Sequence, residues 1–299
     1  MKKFSVIIVT YNSEKHIYDC LESIATNNDI GDDLEIIVVD NCSKDFDVMK
    51  TEIHEKFPDV LIISNTQNGG YGQGNNIGAS NSCAPYVMIM NPDVRLTNPV
   101  FKRFIQEFEN DSNVVMCGMK QYIPGFHQGI AYDFSFRFPT YLSAVLSYFT
   151  RRLDMYIPRY MYFTGSCFCV RKSSFVNAGM FDENIFMYGE EDDLHSRMKL
   201  IKNAKFKYIK DLSYNHLHDP TPISFDYSFR VNDSTLKSRL YWNKRDGYNE
   251  LYTIKKSIQD VNVYIFREYI RSLFGNINKE YIQYLKKWKA CLQNKLKEK

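Results

Sequence analysis

The sequence predicts an α/β fold: a mixed, mainly parallel sheet flanked by helices, with a helical C-terminal extension. Three observations carry that expectation. Short β-branched apolar runs alternate with helix-length amphipathic stretches, the pattern of a doubly wound sheet with right-handed crossovers. Successive runs end in polar residues, Asn12, Asp40 and Asp93, at the carboxyl edge where open α/β sheets place their ligands. Apolar residues in the last stretch recur at helical spacing.

Phe4 to Val9 is apolar and β-branched, which suits a strand covered on both faces. Thr10-Tyr11-Asn12-Ser13 closes it, and Ser13 is placed to cap a helix from Glu14 to about Ala25 with Ile17, Cys20, Leu21 and Ile24 on one face. Leu34 to Asp40 is a second strand, Asn41-Cys42-Ser43 a loop, and Val60 to Ser64 a third strand after an intervening helix. Asn68-Gly-Gly-Tyr-Gly-Gln-Gly-Asn-Asn-Ile-Gly78 then reads as a loop running into a helix. It is neither a dinucleotide fingerprint nor a Walker loop. Its amides, Asn68, Gln73, Asn75 and Asn76, suit the hydroxyls of a ribose or sugar.

Tyr86 to Asp93 is a buried strand ending in Asn-Pro-Asp. Pro92 cannot donate to a ladder and holds Asn91 extended, so the strand stops there and Asp93 begins a loop. Leu96 to Asn110 is expected to be a helix with Val100, Phe101, Phe104, Ile105 and Phe108 buried, and Val114 to Tyr122 a strand. Phe138 to Tyr160 reads as a mobile or acceptor-facing segment, or equally as an amphipathic core helix.

Composition narrows the function classes. A chain of 299 residues can bury a large core, and its net charge of +3 is too small for a nucleic-acid footprint. Seven cysteines without a Cys-x-x-Cys pair point to a reduced, cytoplasmic protein lacking a disulfide frame or zinc site. The amino-terminal apolar run is too short for a signal peptide, and no stretch reaches the ~20 residues of a membrane span.

Four separated pieces, Val-Thr-Tyr-Asn at 9–12, Val-Val-Asp-Asn-Cys-Ser at 38–43, the glycine and amide stretch at 68–78 and Asn-Pro-Asp at 91–93, together resemble the family 2 glycosyltransferases of GT-A (Rossmann-like) fold, in particular the rhamnosyltransferase-like branch. The resemblance continues through Phe163-Thr-Gly-Ser-Cys-Phe-Cys-Val-Arg171, Gly179-Met-Phe-Asp-Glu183 and Met187-Tyr-Gly-Glu-Glu-Asp-Asp-Leu194, reaching about residue 218. It implies a transferase domain at 1–222, with a nucleotide-binding half at 1–95 and an acceptor and catalytic half at 96–222, followed by a helical extension at 223–299.

The resemblance also implies roles for residues. Thr10, Tyr11, Asn12, Asp40, Asn68, Gly70, Gln73, Asn76 and Gly165 are expected at the donor substrate, and Asp93 at a Mg²⁺ or Mn²⁺ and the diphosphate. Asn91 stands where the family carries the first Asp of its metal motif. Displacing a nucleoside diphosphate needs a base near the acceptor hydroxyl and a counter-charge for the leaving group. Glu190 to Asp193 supply carboxylates at an apparent helix start, so Glu191 is the expected base, with Glu190 and Asp193 as further candidates.

His216 is expected to complete the metal site; His218 shares its face if the segment is extended. Arg245, in Tyr-Trp-Asn-Lys-Arg-Asp, aligns with a family position able to meet the diphosphate. The implied reaction is an inverting transfer from a UDP- or dTDP-sugar to a glycan or lipid-linked glycan acceptor. An inactive glycan-binding or scaffold protein is the alternative. The stretch 278–299, with Tyr281, Leu285, Trp288, Leu292 and Leu296 on one face and lysines around them, suits an anionic membrane surface at the cytoplasmic face, packing on the domain, or a homodimer.

Overall fold

The computed structural model describes residues 2–124, 129, 131–217, 224–273 and 278–298. It begins with β1 (Phe4–Thr10), α1 (Glu14–Thr26), β2 (Leu34–Asp40), α2 (Phe46–Lys56), β3 (Leu61–Ser64), α3 (Gly70–Asn81) and β4 (Tyr86–Met90). There follow β5 (Val94–Leu96), α4 (Phe101–Asn110), β6 (Val114–Tyr122), β7 (Tyr132–Phe134), α5 (Thr140–Arg152), β8 (Met161–Phe163), β9 (Cys167–Arg171), α6 (Lys172–Asn177), α7 (Glu190–Met198) and β10 (Lys205–His216). Three longer helices complete it: α8 (Phe225–Arg245), α9 (Glu250–Leu273) and α10 (Lys279–Lys297).

Eight strands form one mixed sheet in the order β3-β2-β1-β4-β9-β6-β10-β5, and β7 and β8 form a second. β1 pairs in parallel with β2 and β4, β2 with β3, and β6 with β10. β9 runs antiparallel to β4 and β6, and β5 antiparallel to β10. The alternation of strand side chains sorts the covering helices. Phe4, Val6 and Ile8 join Met88, Met90, Cys167 and Cys169 in a core with α1, α2 and α4, whereas Ile7 and Val9 meet α3 on the opposite face.

Two local expectations change, and the start of the helix expected within 68–78 is fixed. The helix expected from Leu96 starts at Phe101, because residues 94–96 pair with β10 and a helix does not run through the residue before Pro99. Ser13 stands before α1 but does not cap it; its hydroxyl donates to the Tyr11 carbonyl. The glycine stretch is helix from Gly70 onward. Its glycines serve close packing: a Cβ on Gly74 would lie 2.7 Å from Val9 Cγ1, and one on Gly78 2.4 Å from Ile7 Cγ2.

The chain divides into two compact units. One comprises Met1–Asp133, Tyr156–Phe186 and Glu190–Pro220 and holds the large sheet; the other comprises Phe134–Met155, Met187–Gly189 and Thr221–Lys299. The C-terminal helices thus share their unit with α5, a segment the family resemblance places in the acceptor half. Within this second unit, Leu285, Trp288 and Leu292 of α10 pack with Leu236 and Val261. The apolar face of α10 is therefore internal, which is the packing outcome among those open to the tail and removes that face as a membrane anchor.

Candidate active site

The carboxyl edge of the sheet collects the polar residues. Thr10 and Asp40 are fully buried neighbours in register, and Thr10 Oγ1 donates to Asp40 Oδ1 at 3.1 Å. Asp40 also accepts from Ser43 N at 2.8 Å and from the Ser43 hydroxyl. Asn12, at φ 49°, donates its N–H to Ser43 Oγ at 2.8 Å and accepts from Lys44 N at 3.1 Å. These bonds lock the loops after β1 and β2 together and leave Tyr11 and Asn12 exposed at their mouth.

The amides of the glycine stretch bind protein groups. Asn68 Oδ1 accepts from Gly70 N at 3.0 Å, where φ is +85°. Asn76 donates to Phe181 O at 2.9 Å and Glu183 Oε1 at 3.1 Å and accepts from Phe181 N. Gln73 donates to Glu183 Oε2 at 3.2 Å and accepts from Asn65 at 3.0 Å. Gln73 and Asn76 thus tie α3 to residues 181–183, and Tyr71 N extends the tie to Phe186 O.

The opposite half of the edge brings Asp93, Gly165, Glu191 and His216 into one connected set. Asn91 N donates to Ser166 O at 2.9 Å, joining the end of β4 to the start of β9. Asp93 follows, its Oδ2 lying 3.3 Å from Nε2 of His216, the last residue of β10. Gln121, near the end of β6, reaches His216 Nδ1 at 3.2 Å with its Nε2 and accepts on Oε1 from Ser166 Oγ at 3.1 Å and Tyr214 O–H at 3.0 Å. On the other side of Ser166, Gly165 N donates to Glu191 Oε1 at 3.0 Å. A Cβ on Gly165 would lie 2.5 Å from that oxygen, so glycine is what admits the carboxylate.

Tyr71 closes the set by donating its hydroxyl to Gly165 O. Burial, and after it the Glu191 and Glu190 carboxylates, push the Tyr71 phenol well above its usual range, so it remains a donor. α7 starts at Glu190, after Tyr188 at φ 70° and Gly189 at φ 105°. Glu190 is buried, and Asp193, fully buried, pairs with Arg197 at 2.8 Å. Arg245 belongs to the second unit and pairs with Asp246 at 2.9 Å.

The Asp93 pair fits a hard cation. Asp93 Oδ1 is buried without a hydrogen-bond partner among the described residues, and an unsatisfied buried carboxylate oxygen favours a positive neighbour. Mg²⁺ and its analogues commonly take one or two protein groups together with substrate phosphates. Gln121 tunes the imidazole: with its NH₂ toward Nδ1, the Nε2 proton faces Asp93, and half a turn of the amide would place Nδ1–H on the amide oxygen and the Nε2 lone pair toward Asp93. No group of three candidate metal ligands occurs among the described residues, and His218 lies outside them.

Gln121, Ser166, Tyr214 and Tyr71 are the site residues that sequence reasoning left without roles. The one available signal for Gln121 was a polar amide near the end of an otherwise largely apolar strand.

Residues 5–179 match the family described as glycosyl transferase family 2. Over 127 residues the chain is 33% identical to the poly(ribitol-phosphate) β-N-acetylglucosaminyltransferase TarS of Staphylococcus aureus, a match covering 40% of this chain and 21% of TarS. It is 25% identical over 244 residues to the rhamnosyltransferase WbbL of Escherichia coli, covering 75% of this chain and 88% of WbbL. The structure of TarS 1-349 in complex with UDP-GlcNAc aligns with a TM-score of 0.55 at 17% identity over 95% of this chain and 78% of that one. The mannosyltransferase PcManGT of Pyrobaculum calidifontis, in complex with GDP-Man and Mn²⁺, aligns with a TM-score of 0.62 at 14% identity over 100% and 89%. These two likenesses establish the GT-A fold.

Proposed function

Because the chain belongs to glycosyl transferase family 2, we propose that it transfers a sugar from a nucleoside diphosphate to a hydroxyl of a cell-surface glycan precursor, by direct displacement with inversion. The observation that carries this reading is the continuous line from Glu191 through Gly165, Ser166, Gln121 and His216 to Asp93. It joins a candidate base to a candidate cation site along one edge of the sheet.

Asp93 and His216 would hold Mg²⁺ or Mn²⁺, and when bound the cation supplies counter-charge to the departing diphosphate. Glu191, aimed by Gly165 N–H, takes the acceptor proton. Glu190 is the second candidate; Asp193, engaged by Arg197, serves the fold of α7. Tyr11 and Asn12 face the nucleoside, while Thr10 and Asp40 hold their loops in place and Asn68, Gly70, Gln73 and Asn76 fix the helix start beside it. Arg245 is left outside this assignment, since Asp246 holds it.

A uridine donor is supported by the likeness to TarS, crystallised with UDP-GlcNAc. A polyol-phosphate polymer as acceptor is supported by the activity of TarS, a poly(ribitol-phosphate) β-N-acetylglucosaminyltransferase. Cytoplasmic action agrees with free cysteines, several of them buried in the core.

The deciding experiment follows transfer and hydrolysis across a panel of nucleotide sugars, with and without Mg²⁺ or Mn²⁺. Glu191→Gln is expected to keep donor binding by calorimetry and to lose transfer on the order of a hundredfold or more. Asp93→Ala is expected to lose metal-dependent donor binding. Full transfer by Glu191→Gln would identify another group as the base.

A further inference from the structure

Helix α5 is inverted with respect to water. Its buried residues are Thr140, Ser147 and Thr150, whereas Tyr141, Val145, Tyr148 and Phe149 are 60%, 58%, 63% and 51% exposed. A helix in a water-soluble unit normally turns its apolar stripe inward. α9 beside it adds Phe266 and Leu273, 63% and 80% exposed. Between the two helices lies an open groove of about 970 Å³. Contiguous exposed apolar surface of this kind marks an interaction site.

The charges identify the partner. Arg151, Arg267 and Arg271 line the groove, with no carboxylate among its described lining residues. Arg267 donates to Ala144 O at 3.0 Å, and Glu268 offsets Arg271 at 2.6 Å. Asp260 is engaged by Thr140 and Arg239, and Asp154 follows the end of α5. Arg151 and the adjacent Arg152 end α5, both exposed. In a two-fold dimer formed through this face, each copy would present the same arginines to the other. A sheet of anionic headgroups over acyl chains complements both the guanidinium groups and the aromatic side chains.

We propose that the α5–α9 face of the second unit seats the protein on an anionic phospholipid bilayer. The apolar face of α10, buried against α8 and α9, is not available for that contact, and no helix of the described residues is long and apolar enough to cross a membrane. The arginines meet headgroup phosphates, and Tyr148 and Phe266 enter the interface.

The test is co-sedimentation of the full chain with vesicles of phosphatidylcholine alone and of phosphatidylcholine mixed with phosphatidylglycerol, without any sugar donor, so that the result is independent of the transferase reading. Binding is expected only to the mixed vesicles and is expected to fall with added salt. Arg151→Gln with Arg152→Gln is expected to weaken it about fivefold per arginine. Phe266→Ser with Tyr148→Ser, whose side chains are exposed, is expected to abolish it with an unchanged circular dichroism spectrum. Lys286→Gln with Lys287→Gln on α10 is expected to bind as the parent does. Absence of binding to the mixed vesicles overturns the proposal, as does binding that survives the groove substitutions or is lost in the α10 variant. A dimer that Phe266→Ser dissociates would assign the face to a second copy and overturn it too.

Discussion

At the scale of residues, Gln121 connects the two ends of the candidate site. Its oxygen accepts two buried hydroxyls, Ser166 and Tyr214, while its nitrogen reaches His216. Gln121→Leu preserves volume but removes these partners. We expect a loss of roughly 1–3 kcal/mol in urea unfolding, because buried hydroxyls lose an acceptor. We also expect a 10- to 100-fold weaker metal dependence of donor binding, on the order found when the partner of a metal-ligating histidine is removed. Unchanged metal dependence would leave Gln121 a purely structural residue. Asp93 was legible because Pro92 ends its strand locally. Gln121 was not, because its partners lie 45, 93 and 95 residues along the chain.

At the scale of elements, α3 shows how one pattern can carry two meanings. Glycines spaced along residues 68–78 read as a loop running into a helix, and their close approaches are to protein: Gly74 and Gly78 to β1, Gly70 and Gly72 to residues 181–186. Gly78 lies against Ile7, which is fully buried in the sheet and has little room to yield. Gly78→Ala is therefore expected to cost about 1–3 kcal/mol by overpacking, seen as a lower urea midpoint at an unchanged slope. An unchanged midpoint would mean that α3 can lift from β1 without loss. β1 to β4 and β6 were legible, β2 and β6 to the residue, because apolar runs bounded by polar residues admit few alternatives, whereas β10, whose buried residues are scattered among lysines and tyrosines, was not. β5 was hidden because three residues carry no periodicity, and its pairing with β10 supplies the reason it is extended.

At the scale of the whole molecule, the two units have separate cores. Trp288 and Leu292 of α10 pack with Leu236 and Val261 in the second, while Asp93, Glu191 and His216 stand in the first. Trp288→Ala is expected to destabilise the second unit by about 3–5 kcal/mol, lowering its transition in calorimetry. Binding of a uridine donor by the first unit should persist; its loss together with the lowered transition would show that the donor site depends on the second core. The extension was legible as helix from its heptad-like spacing. Its destination was not, since an apolar stripe ringed by lysines serves a core, a dimer or a bilayer equally well.

The sequence by itself determined the strands and helices from β1 to β4, the strand β6, the tail helix, the family resemblance and the candidate carboxylates, because each rests on residues adjacent or regularly spaced in the chain. The tertiary structure alone decided which amides hold the protein together, that Gln121 links His216 to Ser166, that α10 faces inward and that α5 faces outward. The physical reason is common to all four. A side chain's hydrogen-bond partner and its exposure depend on what other segments bring beside it, and local periodicity says which faces exist without saying what covers them.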